Sequence, residues 1–243
     1  MRPIDTIAIS VFALGASCKG MGSNVVTDEQ VARMSMEQRQ QILKVEKQIG
    51  VEESNVSGAR AGVRDAETFV SSVDKELSAA NTRLKAAKEV GELQQRGSQL
   101  SGSEVGRSLN EEQAAVEAAR AKKDYADRLL ALRQTELNKA QTDLNRVQKQ
   151  VAVTKIRLAF QNGDVSRDDV QRVETELNDA QVEANRTELE VKTLTTEVDN
   201  LKQVWTAKQG ETNPSQSALP RLQGPNAPAT IGASEPRTSN RSQ

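Results

Sequence analysis

Apolar residues recur at alternating spacings of three and four along most of the chain. Between Ile42 and Ala87, fourteen successive positions of this repeat hold thirteen apolar residues and Glu52. A sustained seven-residue repeat keeps one seam of a helix against a partner helix. The pattern predicts a first helix over residues 28–90, with the Glu52 side chain solvated at the margin of the seam.

A second repeat runs from Val116 to Leu158 and predicts a helix over 111–161, with ten of thirteen seam positions apolar. This segment also carries apolar residues off the seam, with one group expected on each side of it. A broad apolar face is typical of a helix with two neighbours, so we expect this helix in the middle. The off-seam residues are Tyr125, Leu129 and Leu132 on one side, and Val153, Ile156 and Phe160 on the other.

The third repeat, from Val170 to Trp205, predicts a helix over 166–208. A hairpin turn is expected before it, because Asn162 or Gly163 can take the left-handed conformation that ends helices. Ser166 and Asp169 have the spacing of a capping box, with Asp in place of Glu. A link this short between two helices makes them antiparallel neighbours.

Two segments lack the repeat. Residues 91–110, GELQQRGSQLSGSEVGRSLN, contain four glycines and four serines and predict a loop. Residues 209–243 contain five of the six prolines and predict a disordered tail.

The composition is consistent with a thin rod rather than a globule. Aromatic residues make up 2% of the chain and apolar residues 36%, whereas ordinary domains have about 45–50% apolar residues when Gly is counted. No proline lies between Pro3 and Pro214, which permits very long helices. The sequence therefore predicts an all-α fold, a long antiparallel coiled coil or slim three-helix bundle with a disordered C-terminal tail.

The N-terminal residues have the layout of a signal peptide. Arg2 precedes an apolar run over 7–16, and Gly15, Ala16 and Ser17 precede Cys18, the one cysteine. A largely apolar segment of ten residues is too short to span a bilayer, which takes about 20, but it suits a signal-peptide core. We expect a signal peptide over 1–17 and a flexible linker over 18–27; an apolar leader with a chance cysteine is the alternative.

This segment resembles the signal of bacterial lipoproteins, although Gly15 stands where that family usually has Leu. The resemblance implies that Cys18 is acylated and becomes the first residue of the mature protein. Lys19, rather than Asp, follows the cysteine, which by the same resemblance implies the outer membrane. The implied location is the bacterial cell envelope, lipid-anchored and facing the periplasm.

Residues 154–191 are similar to the helical hairpins of TolC-type outer-membrane ducts and membrane-fusion adaptors. The similarity implies a hairpin and an envelope context, but the β-rich domains of both families are absent from the sequence. Lys155 and Ala159 stand where adaptor tips often carry Arg and Leu. The residues that carry the similarity are Gly163, Val165, Ser166, Asp168, Asp169, Leu177 and Ala180.

The residue types give no indication of catalysis. The chain has no histidine, one cysteine, and 33 basic against 34 acidic residues. No phosphate-binding loop, metal-ligand spacing or nucleophile–base set is present, and no basic block favours nucleic acid. We expect no enzyme activity, cofactor, metal, small-molecule substrate or nucleic acid.

Three functions fit these patterns. The first is a lipid-anchored envelope spacer, structural or assembly factor, held to the membrane through lipid on Cys18. The second is an accessory component of an efflux or secretion assembly that uses the hairpin over 154–191. The third is a cytoplasmic or phage-associated coiled-coil scaffold. In each, a protein partner or a second copy of the chain is expected on the coiled-coil faces.

Overall fold

The fold is all-α, as predicted, and consists of one short and three long helices. The structure, a computed structural model, describes residues 26–97 and 102–212, and these contain no strand. In chain order the helices are α1 (Asp28–Arg33), α2 (Met36–Gly97), α3 (Gly102–Gln161) and α4 (Arg167–Thr212). At 1.5 Å per residue, α2 and α3 are each about 90 Å long and α4 about 70 Å.

Helix α3 is the middle helix of the rod, as its broad apolar face predicted. It packs along α2 on one side and α4 on the other, and no comparable packing joins α2 to α4 within the described ranges. Its predicted seam faces α2, where Leu158 packs with Ile42. The off-seam residues were expected on two sides, yet Tyr125, Val153 and Ile156 all contact α4.

The predicted seam of α2 forms the buried face of that helix. All fourteen positions from Ile42 to Ala87 are buried or half-buried, and Val73 is completely buried. Glu52 is half-buried and its carboxylate accepts a hydrogen bond from Asn55 at 2.9 Å. Several seam residues are alanines, which bury less apolar area per residue, so the stability of the rod depends on its length.

The bounds predicted for the loop, 91–110, are wrong on both sides, and residues 98–101 lie outside the described residues. Residues 91–97 continue α2 and residues 102–110 already belong to α3. Gly91 is buried because it takes the next place in the repeat after Leu84 and Ala87. A glycine inside a helix costs about 1 kcal/mol relative to alanine, and continuation of the α2–α3 packing outweighs that cost.

The prediction of one helix over 28–90 is also wrong, because the chain breaks at Met34 and Ser35. Each new helix begins with a complete capping box. The Ser35 hydroxyl accepts from the Gln38 N–H at 3.2 Å, and the Gln38 side chain accepts from the Ser35 N–H at 3.0 Å. Thr27 and Gln30 form the same arrangement before α1. At its C-terminal end, α4 continues to Thr212, past the predicted bound at residue 208.

The α3–α4 interface contains one buried polar layer. Thr187 is completely buried, and its hydroxyl lies 3.0 Å from the hydroxyl of Thr142. The Thr187 hydroxyl also donates to the Ala184 carbonyl at 3.0 Å, and the Thr142 hydroxyl donates to the Lys139 carbonyl at 2.9 Å. Both hydroxyls are therefore satisfied, as buried polar groups must be.

The two ends of the rod differ in construction. At the capped end (residues 26–42 and 153–173), α1 and the α3–α4 turn close the rod. At the connector end (residues 86–97 and 102–112), α2 and α3 continue without α4. Lys208 of α4 pairs with Glu117 at 3.0 Å, so α2 and α3 extend about 16 Å past the end of α4.

Candidate functional site: the capped end of the rod

The α3–α4 turn is a Schellman motif built on Gly163. Gly163 has φ +80°, a conformation that glycine adopts without the steric cost of a Cβ. The Gly163 N–H donates to the Phe160 carbonyl and the Asp164 N–H donates to the Ala159 carbonyl, both at 3.0 Å. These two bonds are the pair that defines the motif, and they end α3 sharply enough to reverse the chain.

Helix α4 starts at a serine cap. The Ser166 hydroxyl accepts from the Asp169 N–H at 3.2 Å and donates to the Asp169 carboxylate at 2.7 Å. The side chain of Asp is one methylene shorter than that of Glu. The Asp169 carboxylate here accepts from the Ser166 hydroxyl, which differs from the reciprocal backbone bond of a capping box.

The N-terminal segment packs onto this turn. Val26 and Val31 contact the same apolar clusters as Val165 of the turn. The Gln30 side chain donates to the Asp164 carbonyl at 3.4 Å, and the Gln38 side chain donates to the Asn162 side chain at 3.3 Å. Residues more than 120 positions apart in sequence therefore meet at this end.

Two apolar clusters lie beneath the turn, and both are well buried. Met34 and Ile42 pack with Leu158 and Ala159 in the first. Ile156, which is 1% exposed, is the largest side chain of the second. The second cluster consists of Val153, Ile156 and Val173.

The surface of the turn is polar and open. Asn162, Gly163, Asp164 and Ser166 are exposed, while the backbone groups named above already have partners within the turn. Within residues 26–97 and 102–212, no group of three or more His, Cys, Asp or Glu side chains could hold a metal ion. The arrangement provides a fixed chain reversal with exposed polar side chains.

A second cluster of side chains lies near the end of α4 and is aromatic. The rings of Tyr125 and Trp205 stack with centroids 5.3 Å apart, and Phe69 meets Tyr125 edge-on at 6.0 Å. The ammonium of Lys122 lies 5.6 Å from the Trp205 ring and 5.8 Å from the Phe69 ring. It also pairs with Glu76 at 2.5 Å. Because these rings contact one another, the cluster joins α2, α3 and α4 at one level.

Two charged groups with shifted pKa values, Lys123 and Glu188, are each paired with a residue of opposite charge. Lys123 occupies a seam position of α3 and lies 2.8 Å from Asp74 and 3.0 Å from Asp127. The hydrogen bond to Asp74 is the largest cause that raises the pKa of Lys123, and desolvation opposes it. On α4, the hydrogen bond from Lys192 lowers the pKa of Glu188. Exposed pairs of this kind contribute little stability each.

The predicted site residues divide into two groups. The four hairpin residues Asn162, Gly163, Ser166 and Asp169 come together at the capped end. Cys18, the predicted lipidation site, lies outside the described residues, as do the signal peptide, most of the linker and most of the tail. Among the helices that the structure describes, none is long and apolar enough to cross a membrane.

The packing of residues 26–35 onto the turn was not predicted. The capping boxes could have been found from sequence, since Thr27 and Ser35 each precede a Gln by three positions. The contact between α1 and the turn has no such local signal.

Comparisons with known proteins add no family to this description. No protein-family model, no curated protein and no solved structure matches the chain.

Proposed function

We propose that this chain is a lipid-anchored, non-catalytic coiled-coil protein of a bacterial cell envelope, acting as a spacer or as a structural or assembly factor. The observation that carries the proposal is Cys18, placed where an apolar segment gives way to small and polar residues. The membrane is the outer membrane and the rod faces the periplasm. Acylation with two or more chains gives stable anchoring, whereas a single chain is marginal.

The long helical rod supports a spacer role. About 90 Å of paired helix separates the capped end from the connector end. Most of its buried residues are small or medium apolar side chains along helix seams, an arrangement suited to holding a distance rather than to enclosing a substrate.

Metabolic labelling tests the anchor. Cells that express the chain are grown with labelled palmitate, and we expect label in the wild-type protein and none in Cys18→Ser. Ser17→Ala, which keeps a small residue before the cysteine, is the matched control and should keep the label. Recovery of the unprocessed, unlabelled chain in the cytosol would contradict the proposal and favour the cytoplasmic or phage-associated scaffold.

Membrane sorting tests the location. Lys19 follows the cysteine, and its replacement by Asp removes the feature that favours the outer membrane. Density-gradient separation of the two membranes should find the wild-type chain in the outer fraction and Lys19→Asp shifted toward the inner fraction. Wild-type protein in the inner fraction would contradict the assignment.

An accessory role in an efflux or secretion assembly is the second candidate, and the exposed α3–α4 turn favours it. Photocrosslinkers at Asn162 and Asp164 test this role, because both residues are exposed. Capture of a transporter subunit would support it, and capture of this chain alone would count against it.

A protein partner is proposed on the coiled-coil faces. Val182 and Leu189, seven residues apart on α4, are 61% and 64% exposed, so one face of α4 presents apolar side chains away from the seam. Sedimentation of the full chain should show a smaller assembly for Val182→Glu/Leu189→Glu if this face holds a second copy. An unchanged mass would contradict self-association through it.

A further inference from the structure

We infer that the capped end is the membrane-proximal end of the rod and that the connector end points away from the membrane. This inference rests on the proposed lipid anchor at Cys18. It deepens that proposal by assigning which end, and therefore which surface, lies next to the lipid. It follows from where the N-terminal chain joins the rod.

The joining point is fixed by contacts on both sides of α1. Val26 packs against the cluster of Val153, Ile156 and Val173, and the Thr27 capping box begins α1 directly after it. Met34 is 2% exposed in the neighbouring cluster. The Gln30 and Gln38 side chains add hydrogen bonds to the turn. The chain therefore enters the rod at the capped end.

The covalent reach of the chain sets how far Cys18 can lie from this point. Cys18 and Val26 are eight residues apart, which limits their separation to about 29 Å even when the chain is fully extended. Val26 lies about 10 Å along the rod axis from Gln161 and about 70 Å from Glu92. A lipid on Cys18 is therefore held within about 40 Å of the capped end and cannot pass the middle of the rod.

Two consequences follow for contacts with other molecules. The α3–α4 turn, to which the Gln30 and Gln38 side chains donate hydrogen bonds, belongs to the end of the rod that lies nearer the lipid. The connector end extends up to about 90 Å from the capped end. Val90 and Leu93, which are 51% and 67% exposed, are at that far end.

Spin-label distances in the full chain test the geometry without any lipid. Expression in the cytosol leaves the Cys18 thiol free, and a second label is placed at Gln161→Cys or Glu92→Cys. Both positions are exposed. We expect Cys18–Gln161 distances below about 40 Å and Cys18–Glu92 distances above about 40 Å. Equal distances, or the reverse order, would overturn the inference.

A variant in which the N-terminal segment is detached from the turn should abolish the difference between the Cys18–Gln161 and Cys18–Glu92 distances. Val26→Asp combined with Val31→Asp places charges in the apolar contacts with the turn, and should broaden the Cys18–Gln161 distances beyond about 40 Å. Val51→Asp, at a position of α2 that is 60% exposed, is the matched control and should leave them unchanged. Unchanged distances in the double variant would contradict the attachment.

Energy transfer on membranes tests, in the anchored protein, whether Gln161 or Glu92 lies nearer the lipid. Lipidated protein with a donor at Gln161→Cys or Glu92→Cys is placed in phosphatidylethanolamine–phosphatidylglycerol vesicles that carry an acceptor headgroup. We expect higher transfer from Gln161→Cys, and higher transfer from Glu92→Cys would overturn the inference. Failure of the protein to carry lipid or to bind vesicles would contradict the proposed function alone, because the spin-label distances report separately which end of the rod lies nearer Cys18.

Discussion

The capped end and the connector end of the rod differ in how deeply they bury their apolar side chains. Ile156 at the capped end is 1% exposed, whereas Leu93 at the connector end is 67% exposed. At the capped end, parts of all four helices meet within one apolar region. Among the residues that the structure describes, only α2 and α3 reach the connector end, and α2 carries a glycine in its seam at Gly91.

The comparison indicates that apolar burial is unevenly distributed along the rod. The two apolar clusters that join parts of α1 to α4 lie at the end where the N-terminal chain enters. The far end depends on a single helix–helix seam, and local opening free energies are lower where fewer apolar contacts are buried. A protein held at one end and free at the other would have this distribution.

The largest expected difference comes from truncation of one apolar side chain at each end. Ile156→Ala removes a fully buried side chain and should lower the free energy of unfolding by about 2–5 kcal/mol. Leu93→Ala removes an exposed one and should change it by less than about 0.5 kcal/mol. Urea unfolding followed by circular dichroism measures both. Equal losses of unfolding free energy in the two variants would contradict the difference in apolar burial between the two ends.

The second-largest expected loss of unfolding free energy comes from the aromatic cluster near the end of α4. Tyr125→Ala removes the ring that contacts both Phe69 and Trp205 and should cost about 2 kcal/mol. Because Trp205 is the sole tryptophan, its emission should shift to longer wavelength. Phe160→Ala, at a ring that is 46% exposed, is the control. An unshifted emission would show that Tyr125 does not cover Trp205.

Two glycines should respond to alanine with opposite signs. Gly163→Ala forces a Cβ into positive φ and should destabilise the capped end by about 1 kcal/mol. Gly58→Ala lies inside α2 with open space around the new Cβ and should stabilise by about 0.5–1 kcal/mol. Thermal unfolding compares the two variants. A shift of the same sign would contradict the turn geometry.

The smallest expected effect is a pH dependence on the connector side of the rod. The Asp74 hydrogen bond raises the folded-state pKa of Lys123 above its unfolded value. The stabilising contribution is therefore complete below the unfolded pKa of about 10.4 and is lost as pH rises through the folded value. Lys123→Met should lack this alkaline loss.

Melting temperatures of the wild type and Lys123→Met, compared from about pH 8 to pH 12, measure the difference. Because the two proteins differ only at residue 123, comparing them cancels the contribution of other groups that titrate in that range. Parallel curves would contradict a stabilising role for the Lys123–Asp74 contact.

Much of the fold could be predicted from the sequence because seam burial is a periodic property. The repeat placed Ile42, Val73 and Val116 in the core, and all three are buried. It also indicated that α3 has two neighbours. Gly163 and Ser166 were expected at the turn because their conformational preferences are local.

The errors have three physical causes. Glycine content over 91–110 predicted a loop, but packing of α2 on α3 overrides the local preference. The break at Met34 was missed because the repeat alone does not register capping residues such as Ser35. The contact of α1 with the turn depends on positions more than 120 residues apart, for which a single sequence carries no periodic signal.

The mass of the mature N-terminus tests the central claim most directly. Protein is isolated from membranes and its N-terminal peptide is measured intact. We predict a first residue Cys18 that carries acyl chains, with residues 1–17 removed. A peptide that retains Met1 and a free Cys18 thiol would contradict the lipid anchor.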